Sequence, residues 1–353
     1  MPSNKTSAGN FFEDFRVGQT IVHATPRTVT DGDVALHTAL YGSRFAVQSS
    51  RALACALGLP AAPLDDWLVF NLVFGKTVPD VSLNAIANLG YANGRFGVPV
   101  YPGDTLSAVS EVIGVRETGK GDAGVVYVRS VGSNQRGEEV LSYVRWALVP
   151  KRDLAAPTPA PVVPALPEAV PADEIVVPAR IDLARYDTIL AGSQSLWEDY
   201  ETGEKIDHVD AVTIEDAEHM LATRLCQNAA RVHFNQHAAK AGRFGRRLVY
   251  GGHVISLARA LSFNGLANAF KIATLNGGRH VAPTFAGDTI YAWSEILAKV
   301  PLPHRADLGT LRIRTIAAKD QACADFPEQG HDGKPHPAVV LDLDYTVLVP
   351  RRT

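Results

Sequence analysis

The chain has 353 residues, of which 46% are hydrophobic and 20% are charged, and its formal net charge is −3 at pH 7. This is the composition of a globular protein of about two domains, without the basic excess that nucleic-acid or membrane-surface binding requires. No run of about 18 uninterrupted apolar residues is present, and residues 1–15 lack the pattern of a signal peptide, so we expect a cytoplasmic protein. The cysteines, which are three and scattered, predict neither a disulfide framework nor a zinc site.

The chain contains an internal repeat, and this repeat is the feature that most constrains its architecture. Three pairs of segments match in the same order along the two halves: 11–19 with 196–204, 101–115 with 285–299, and 142–152 with 343–352. Within the second pair, a Gly-Asp-Thr triplet begins at both Gly103 and Gly287. Ordered matches at nearly constant separation indicate a gene duplication.

The duplication predicts two domains joined by a linker. We place an N-terminal domain at 1–152, a linker at 153–195 and a C-terminal domain at 196–353. Residues 153–178 are rich in proline and alanine, which predicts an extended, semi-rigid segment without a packed core.

Each half combines a helix with several long strands. The predicted strands, rich in β-branched and aromatic residues, are 104–117, 124–133 and 142–150 in the first half and 288–300 and 339–350 in the second. In the second half, Thr213 with Asp216 predicts a helix N-terminus, and apolar spacing predicts a helix over 254–263. This combination is typical of the α+β class, with a helix packed on an antiparallel sheet.

Residues 226–261 hold the side chains that could carry chemistry. Asn228 and His233 are five residues apart, and Gly251 with Gly252 follows at the predicted start of the apolar helix. Paired glycines allow a ligand to approach the backbone closely, and the first N–H groups of a helix can bind developing negative charge. The segment therefore predicts a substrate site at this helix start.

These residues resemble the motif of the MaoC-like, R-specific enoyl-CoA hydratases, which is Asp-x-Asn-Pro-x-His followed by a glycine eighteen residues after the histidine. Asn228 falls at the aspartate, His233 at the histidine and Gly251 at the oxyanion glycine. The sequence of residues 74–96 and the segments YPGDTL and RWALVPKRD resemble one branch of this family more closely, the mesaconyl-CoA hydratases. This resemblance covers nearly the whole chain.

The resemblance implies a tandem double hotdog, in which two antiparallel sheets each wrap a central helix. It also implies a hydro-lyase that reversibly hydrates an enoyl-CoA thioester, mesaconyl-CoA to β-methylmalyl-CoA, in glyoxylate assimilation by the ethylmalonyl-CoA pathway. We expect no metal or redox cofactor, since CoA is part of the substrate, and a homo-oligomer of two or more chains.

The motif departs from the family pattern in both halves. Asn228 cannot act as a carboxylate base, and Ala230 with Arg231 replaces the Asn-Pro pair. In the first half, Ser43 and Gln48 occupy the aspartate and histidine positions, so we expect one active site per chain, in the second half.

The resemblance assigns roles to three residues. His233 would activate water, Asn228 would orient that water or hydrogen-bond the substrate, and the N–H of Gly251 would hold the thioester oxygen. The proton donor to Cα stays open between His233 and a residue that the sequence does not locate.

Further positions are candidates for substrate binding. A dicarboxylic acyl group needs a cation, and the candidates near the motif are Arg224, Arg231, Arg247 and Arg279. Gly252, Tyr250 and His253 are further candidates for substrate binding. Tyr250, His253 and His280 are expected to line the pocket, in structural more than in catalytic roles. We expect His219 and His237 on solvated helix faces.

Two other functions fit the same fold. An acyl-CoA thioesterase would deliver water to the carbonyl carbon and would usually need a carboxylate, which position 228 lacks. A non-catalytic acyl-CoA-binding protein would retain CoA affinity without turnover, and its binding would be unchanged in His233→Ala.

Overall fold

The computed structural model describes residues 5–303, 305–330 and 332–352. The described part of the first half holds five strands and four α-helices: β1 (Thr20–Thr28), α1 (Asp31–Tyr41), α2 (Ala46–Ser49), α3 (Arg51–Ala56), α4 (Asp66–Thr77), β2 (Ala87–Phe96), β3 (Thr105–Glu117), β4 (Ala123–Ser133) and β5 (Glu139–Pro150). Local sequence explains where α1 begins and ends. Thr30 caps its N-terminus in a capping box with Asp33, and Gly42 closes it in the left-handed conformation.

The linker and the second half hold the remaining elements. These are α5 (Thr188–Ala191), β6 (Lys205–Thr213), α6 (Asp216–Leu225), α7 (Gln236–Lys240), α8 (Gly251–Leu261), α9 (Phe263–Leu266), β7 (Lys271–His280), β8 (Thr289–Pro301), β9 (Leu308–Lys319) and β10 (Val339–Pro350). The predicted strands 288–300 and 339–350 and the helix starting at the paired glycines are confirmed.

The ten strands form one antiparallel sheet in the order β1-β3-β4-β5-β2-β7-β10-β9-β8-β6. Each half contributes five strands, and the two sets meet where β2 pairs with β7, with Tyr91 opposite Gly278 and Arg95 opposite Thr274. Strands from different halves are therefore neighbours at the centre of the sheet, so a side chain of the first half can lie next to one of the second.

Two central helices pack on this sheet. Every residue of α4 from Trp67 to Thr77 is buried, as expected for a helix that is apolar on all sides. α8 is buried over most of its length, and side chains of both helices belong to one hydrophobic core.

The C-terminal half of α4 meets the beginning of α8. The Phe74 ring lies 5.9 Å from that of Tyr250, and Asn71 Nδ2 donates to the carbonyl of Gly252 at 3.3 Å. A Cβ atom at Gly75 would overlap the carbonyl oxygen of Cys226, so glycine is needed there for the close approach of the two halves. The first half thus supports the segment that carries the motif of the second.

The predicted N-cap of α6, Thr213, is wrong. α6 begins at Asp216 after Glu215, whereas Thr213 ends β6, where its hydroxyl pairs with that of Thr289 at 2.8 Å. Because the Thr213 hydroxyl is engaged in this contact between strands, it does not cap α6.

The linker packs more than its composition suggests. Ile181, Leu183 and Ala191 are buried in a cluster with residues of α2, α3 and β7, and Val162 forms a β-bridge with Val115. These three buried residues follow the proline- and alanine-rich stretch 153–178, where they lie on apolar surface that the two halves supply. The stretch 153–178 itself is largely exposed or half-buried, in agreement with the prediction of an extended segment. The domain boundaries stay predictions. Within the described parts of the chain, no helix is long and apolar enough to cross a membrane.

Candidate functional site

The first turn of α8 presents unsatisfied backbone donors. Tyr250 is its N-cap and makes no side-chain cap, so the N–H groups of Gly251 and Gly252 have no acceptor among the described residues. Such N–H groups, together with the helix dipole, bind an oxygen that becomes negatively charged.

His233 lies in a short 3-10 turn, Arg231–His233, on the approach to α8. Its Nδ1 is 2.9 Å from the carbonyl oxygen of Leu248, and its ring lies 5.6 Å from that of Tyr250. Burial lowers the pKa of His233 to about 4, so the ring is neutral near pH 7. Since a carbonyl only accepts, Nδ1 carries the proton and Nε2 keeps a lone pair, which is the form of a general base.

Asn228 is buried and bonded to its own turn. Its Oδ1 accepts the N–H of Ala230 at 2.9 Å, which fixes the chain just before His233. The side-chain oxygen that the sequence assigned to water is therefore engaged by backbone, and the geometry favours a positioning role for this residue.

Neighbouring side chains leave no room for a Cβ atom at either of the paired glycines. A Cβ atom at Gly251 would overlap the imidazole of His280, and one at Gly252 would overlap Asn71 Oδ1. Asn71 also accepts the Tyr250 hydroxyl at 2.9 Å, so this network sets the start of α8. Tyr250 therefore helps to hold the start of α8, and Gly252 is covered by Asn71 on its Cβ side.

His280 and Tyr91 join the site through the central strand pair. His280 Nε2 lies 3.2 Å from the Tyr91 hydroxyl, and the His280 ring is against Gly251. Burial, and then the proximity of His233, lower the pKa of His280 to about 4. The sequence placed His280 only as a pocket-lining residue and did not connect it with Tyr91, because strand pairing between the halves is a long-range contact.

His253 faces away from this pair. It is 1% exposed, its Nδ1 lies 3.1 Å from the Tyr41 hydroxyl, and burial lowers its pKa to about 3. His219 is also fully buried, which corrects its predicted place on a solvated face, whereas His237 is exposed as predicted. α6 presents His219 to the interior because it packs against α1 and α8.

Of the arginines near the motif, three lie around His233 in sequence and are at or near the surface. Arg224 and Arg231 are exposed. Arg247 forms an ion pair with Asp216 at 2.7 Å. Its charge is already neutralised by the protein.

Arg279 is on the other face of the sheet. It is the neighbour of His280 on β7, and side chains alternate along a strand, so the two point in opposite directions. Arg279 pairs with Asp342 at 3.3 Å and is 55% exposed at its side chain. The structure therefore does not bring Arg279 together with His233.

The chain is similar to known proteins over nearly its whole length. Residues 3–326 match the family model of mesaconyl-CoA hydratase. The chain belongs to the mesaconyl-CoA hydratase family. It is 67% identical over 350 residues to β-methylmalyl-CoA dehydratase of Chloroflexus aurantiacus, covering 99% of both chains. It is 58% identical over 347 residues to mesaconyl-CoA hydratase of Cereibacter sphaeroides, covering 98% of this chain and 100% of that one.

Solved structures of similar proteins show the fold of this member of the mesaconyl-CoA hydratase family. A MaoC domain protein dehydratase from C. aurantiacus superposes with a TM-score of 0.97 at 66% identity, over 99% of this chain and 100% of that one. A Mycobacterium tuberculosis protein with a double hotdog fold superposes at 0.74 and 26% identity, over 97% and 98%. The predicted α+β double hotdog is confirmed, with its two sheets joined into one.

In this member of the mesaconyl-CoA hydratase family, the start of α4 is the place in the first half that corresponds to the site at the start of α8. Protein contacts fill most of the space there. Gln48 donates to the carbonyl of Phe270 at 2.6 Å, and Asp66 at the start of α4 pairs with Lys271 at 3.0 Å. The cavity that Gln48 and Asp66 line measures about 20 Å³, which is room for about one water molecule. This geometry favours a single active site per chain.

Four neutral histidines with a lowered pKa predict a marked loss of stability in acid. Burial lowers the pKa to about 4 for His208, His233 and His280 and to about 3 for His253. The unfolded chain protonates them below about pH 6.5 while the native chain does not until about pH 4, so the free energy of unfolding falls as pH falls through that window. Each histidine contributes about 1.4 kcal/mol per unit of pKa difference.

Denaturant unfolding at pH 7, 6 and 5 measures this effect, with the exposed His237→Gln variant as the control that should keep the wild-type pH dependence. Equal stability at pH 7 and pH 5 would contradict the assignment of these histidines as neutral.

Proposed function

We propose that this protein is a hydro-lyase that reversibly hydrates mesaconyl-CoA to β-methylmalyl-CoA. The observation that carries the proposal is the neutral imidazole of His233, with Nε2 unprotonated, beside the free N–H groups that begin α8. The names of the two relatives, over nearly their full lengths, support this choice of substrate.

The chemistry follows from these groups. Nε2 of His233 takes a proton from water, and the water oxygen bonds to Cβ of the enoyl thioester. The π electrons move toward the thioester oxygen, which the N–H of Gly251 stabilises as negative charge develops. Protonation of Cα then completes the addition of one water molecule. Because no oxidation state changes overall, the step needs no redox cofactor.

The second proton-transfer group is the His280–Tyr91 pair. It lies against Gly251, where the thioester is held, and it is separate from His233. Burial raises the pKa of Tyr91 above its ordinary value, so its hydroxyl keeps its proton. A neutral tyrosine hydrogen-bonded to a neutral imidazole can deliver a proton to Cα and recover it from solvent through the imidazole.

Replacing His280 with alanine is expected to lower kcat for mesaconyl-CoA by about 10²-fold, and Tyr91→Phe by a smaller factor, since general acids typically contribute on this scale. Steady-state kinetics measures both. Tyr186→Phe is the matched control, because Tyr186 is hydrogen-bonded to Asn268 away from the site. Wild-type kcat in a folded His280→Ala protein would exclude the pair from proton transfer.

Mass spectrometry of the reaction products tests the proposed function. Purified protein incubated with mesaconyl-CoA is expected to yield an intact thioester heavier by one water, without free CoA. Release of free CoA would identify a thioesterase instead. Binding of the thioester without any product would identify a non-catalytic acyl-CoA-binding protein.

The setting of the reaction is part of the same proposal. We place the enzyme in the cytoplasm, in glyoxylate assimilation by the ethylmalonyl-CoA pathway, as a homo-oligomer that works without a metal. The steps above use only imidazole, hydroxyl and backbone N–H groups, and the support for the pathway is the substrate itself.

A further inference from the structure

Arg145 on β5 is a buried cation without an acidic partner. Its side chain belongs to a residue that is 0% exposed, and it has no carboxylate within 4.0 Å among the residues that the structure describes. It donates to Thr77 Oγ1 at 2.7 Å and to Ser82 Oγ at 3.1 Å, and its Nε–H has no partner. Five N–H donors are thus met by only two neutral hydroxyls.

Such a charge is costly to bury, because removal from water is not offset by an opposite charge. Burial lowers the pKa of Arg145, and the groups that counter this effect are tyrosines: Tyr143, Tyr91 and Tyr250. The C-terminal end of α4 and the ring of Phe74, whose centroid is 4.3 Å from the guanidinium carbon, give partial compensation. Neither is an anion.

The strand position of Arg145 does not itself require an arginine. Arg145 pairs across the strands with Tyr91, and the corresponding pair in the second half is Tyr345 with Leu275. The same place in the duplicated sheet therefore accommodates a tyrosine. A buried cation, Arg259 of α8, lies beside Tyr345, but the carboxylates Asp65 and Asp66 support its charge. The side of the molecule that holds Arg145 provides no such carboxylate among the described residues.

The side of the molecule that holds Arg145 is also the side that holds the candidate site. Tyr91, the strand partner of Arg145, holds His280 through its hydroxyl. Phe74, which covers the guanidinium, also lies 5.9 Å from Tyr250, and Tyr250 packs on His233. Arg145 thus adjoins the aromatic side chains that surround both imidazoles.

We propose that Arg145 binds the free carboxylate that the acyl group carries on Cβ, and so selects a dicarboxylic enoyl thioester. Phe74 covers a face of the planar guanidinium, which leaves N–H donors in its plane, including Nε–H, for a two-point contact with a carboxylate. The cation also offsets the negative charge next to the carbon that water attacks. The inference rests on the proposed function and replaces the four arginines that the sequence suggested.

Two substrates that differ only in the group on Cβ test whether Arg145 binds the carboxylate. Tiglyl-CoA carries a methyl group where mesaconyl-CoA carries the carboxylate. For Arg145→Met we expect kcat/KM with mesaconyl-CoA to fall by at least about 10²-fold, as for loss of one partner from a buried charge pair. Tiglyl-CoA, measured as substrate or as competitive inhibitor, should change by less than about threefold, so the preference for the carboxylate is lost.

Arg259→Met is the matched control. Arg259 is also buried and lies over an aromatic ring, Phe45. The groups that support its charge are Tyr345 and then the carboxylates Asp65 and Asp66, at the other end of α4. This variant should lose stability and keep the wild-type ratio of the two substrates. Arg145→Lys, a smaller change if the methionine variant does not fold, should weaken mesaconyl-CoA alone.

The outcomes separate the two claims. A wild-type protein that hydrates mesaconyl-CoA, with an unchanged substrate ratio in the Arg145 variants, overturns the role of Arg145 only. An equal shift of the ratio in Arg259→Met also overturns it. A wild-type protein that binds mesaconyl-CoA but never hydrates it refutes the proposed function instead.

Discussion

His233→Ala is expected to lower kcat for mesaconyl-CoA by about 10²–10⁴-fold, the range typical for loss of a general acid–base group. The variant removes the Nε2 lone pair that takes the proton from water, whereas the oxyanion donors of α8 stay in place. KM should change much less than kcat, because the imidazole acts on water. Steady-state kinetics on folded protein measures the split.

The control for this variant is His237→Ala. His237 is four residues away and exposed, and it is not one of the residues assigned to the site, so the kcat of the variant should equal that of the wild type. A fully active His233→Ala protein would remove His233 from the mechanism and with it the assignment of the general base.

Gly251→Ala is expected to cost about 10²–10³-fold in kcat, the usual effect of losing one oxyanion donor. The added methyl group would overlap the His280 imidazole, so His280 must move from its bond with Tyr91 and the start of α8 must shift. Stability should fall only modestly, because the displaced group is the end of a side chain. Kinetics and thermal unfolding together measure the two effects.

Two variants distinguish this explanation from a general loss of structure. A Cβ atom at Gly277, on the same strand as His280, meets no atom within 4 Å, so Gly277→Ala should be neutral in activity. The double variant Gly251→Ala with His280→Ala should recover the lost stability without recovering activity. If kcat survives in Gly251→Ala, the oxyanion role of this helix start is wrong.

Much of the fold could be predicted because its signals are local or repeated. The matched segments of the two halves indicated a duplication, and the glycine pair followed by apolar periodicity located the start of α8. Thr213 and His219 were misplaced for a common reason. Tertiary contacts decide both, a cross-strand hydroxyl pair for Thr213 and interhelical packing for His219.

The site was predictable only in its contiguous part. His233 and Gly251 belong to one motif, whereas His280, Tyr91 and Arg145 come together only through pairing of β2 with β7 and β5. Arginines near the motif in sequence were chosen instead, and two of them proved to be ion-paired with Asp216 and Asp342. Register between strands far apart in the chain is not readable from one sequence.

The most direct test of the account is approach to equilibrium from both directions. Purified protein is incubated separately with mesaconyl-CoA and with β-methylmalyl-CoA, and the two thioesters and free thiol are quantified over time. Both reactions are expected to converge on the same ratio of thioesters, with no thiol released and with no conversion on this time scale in His233→Ala. Thiol release, or mixtures that stay as they were supplied, would contradict it.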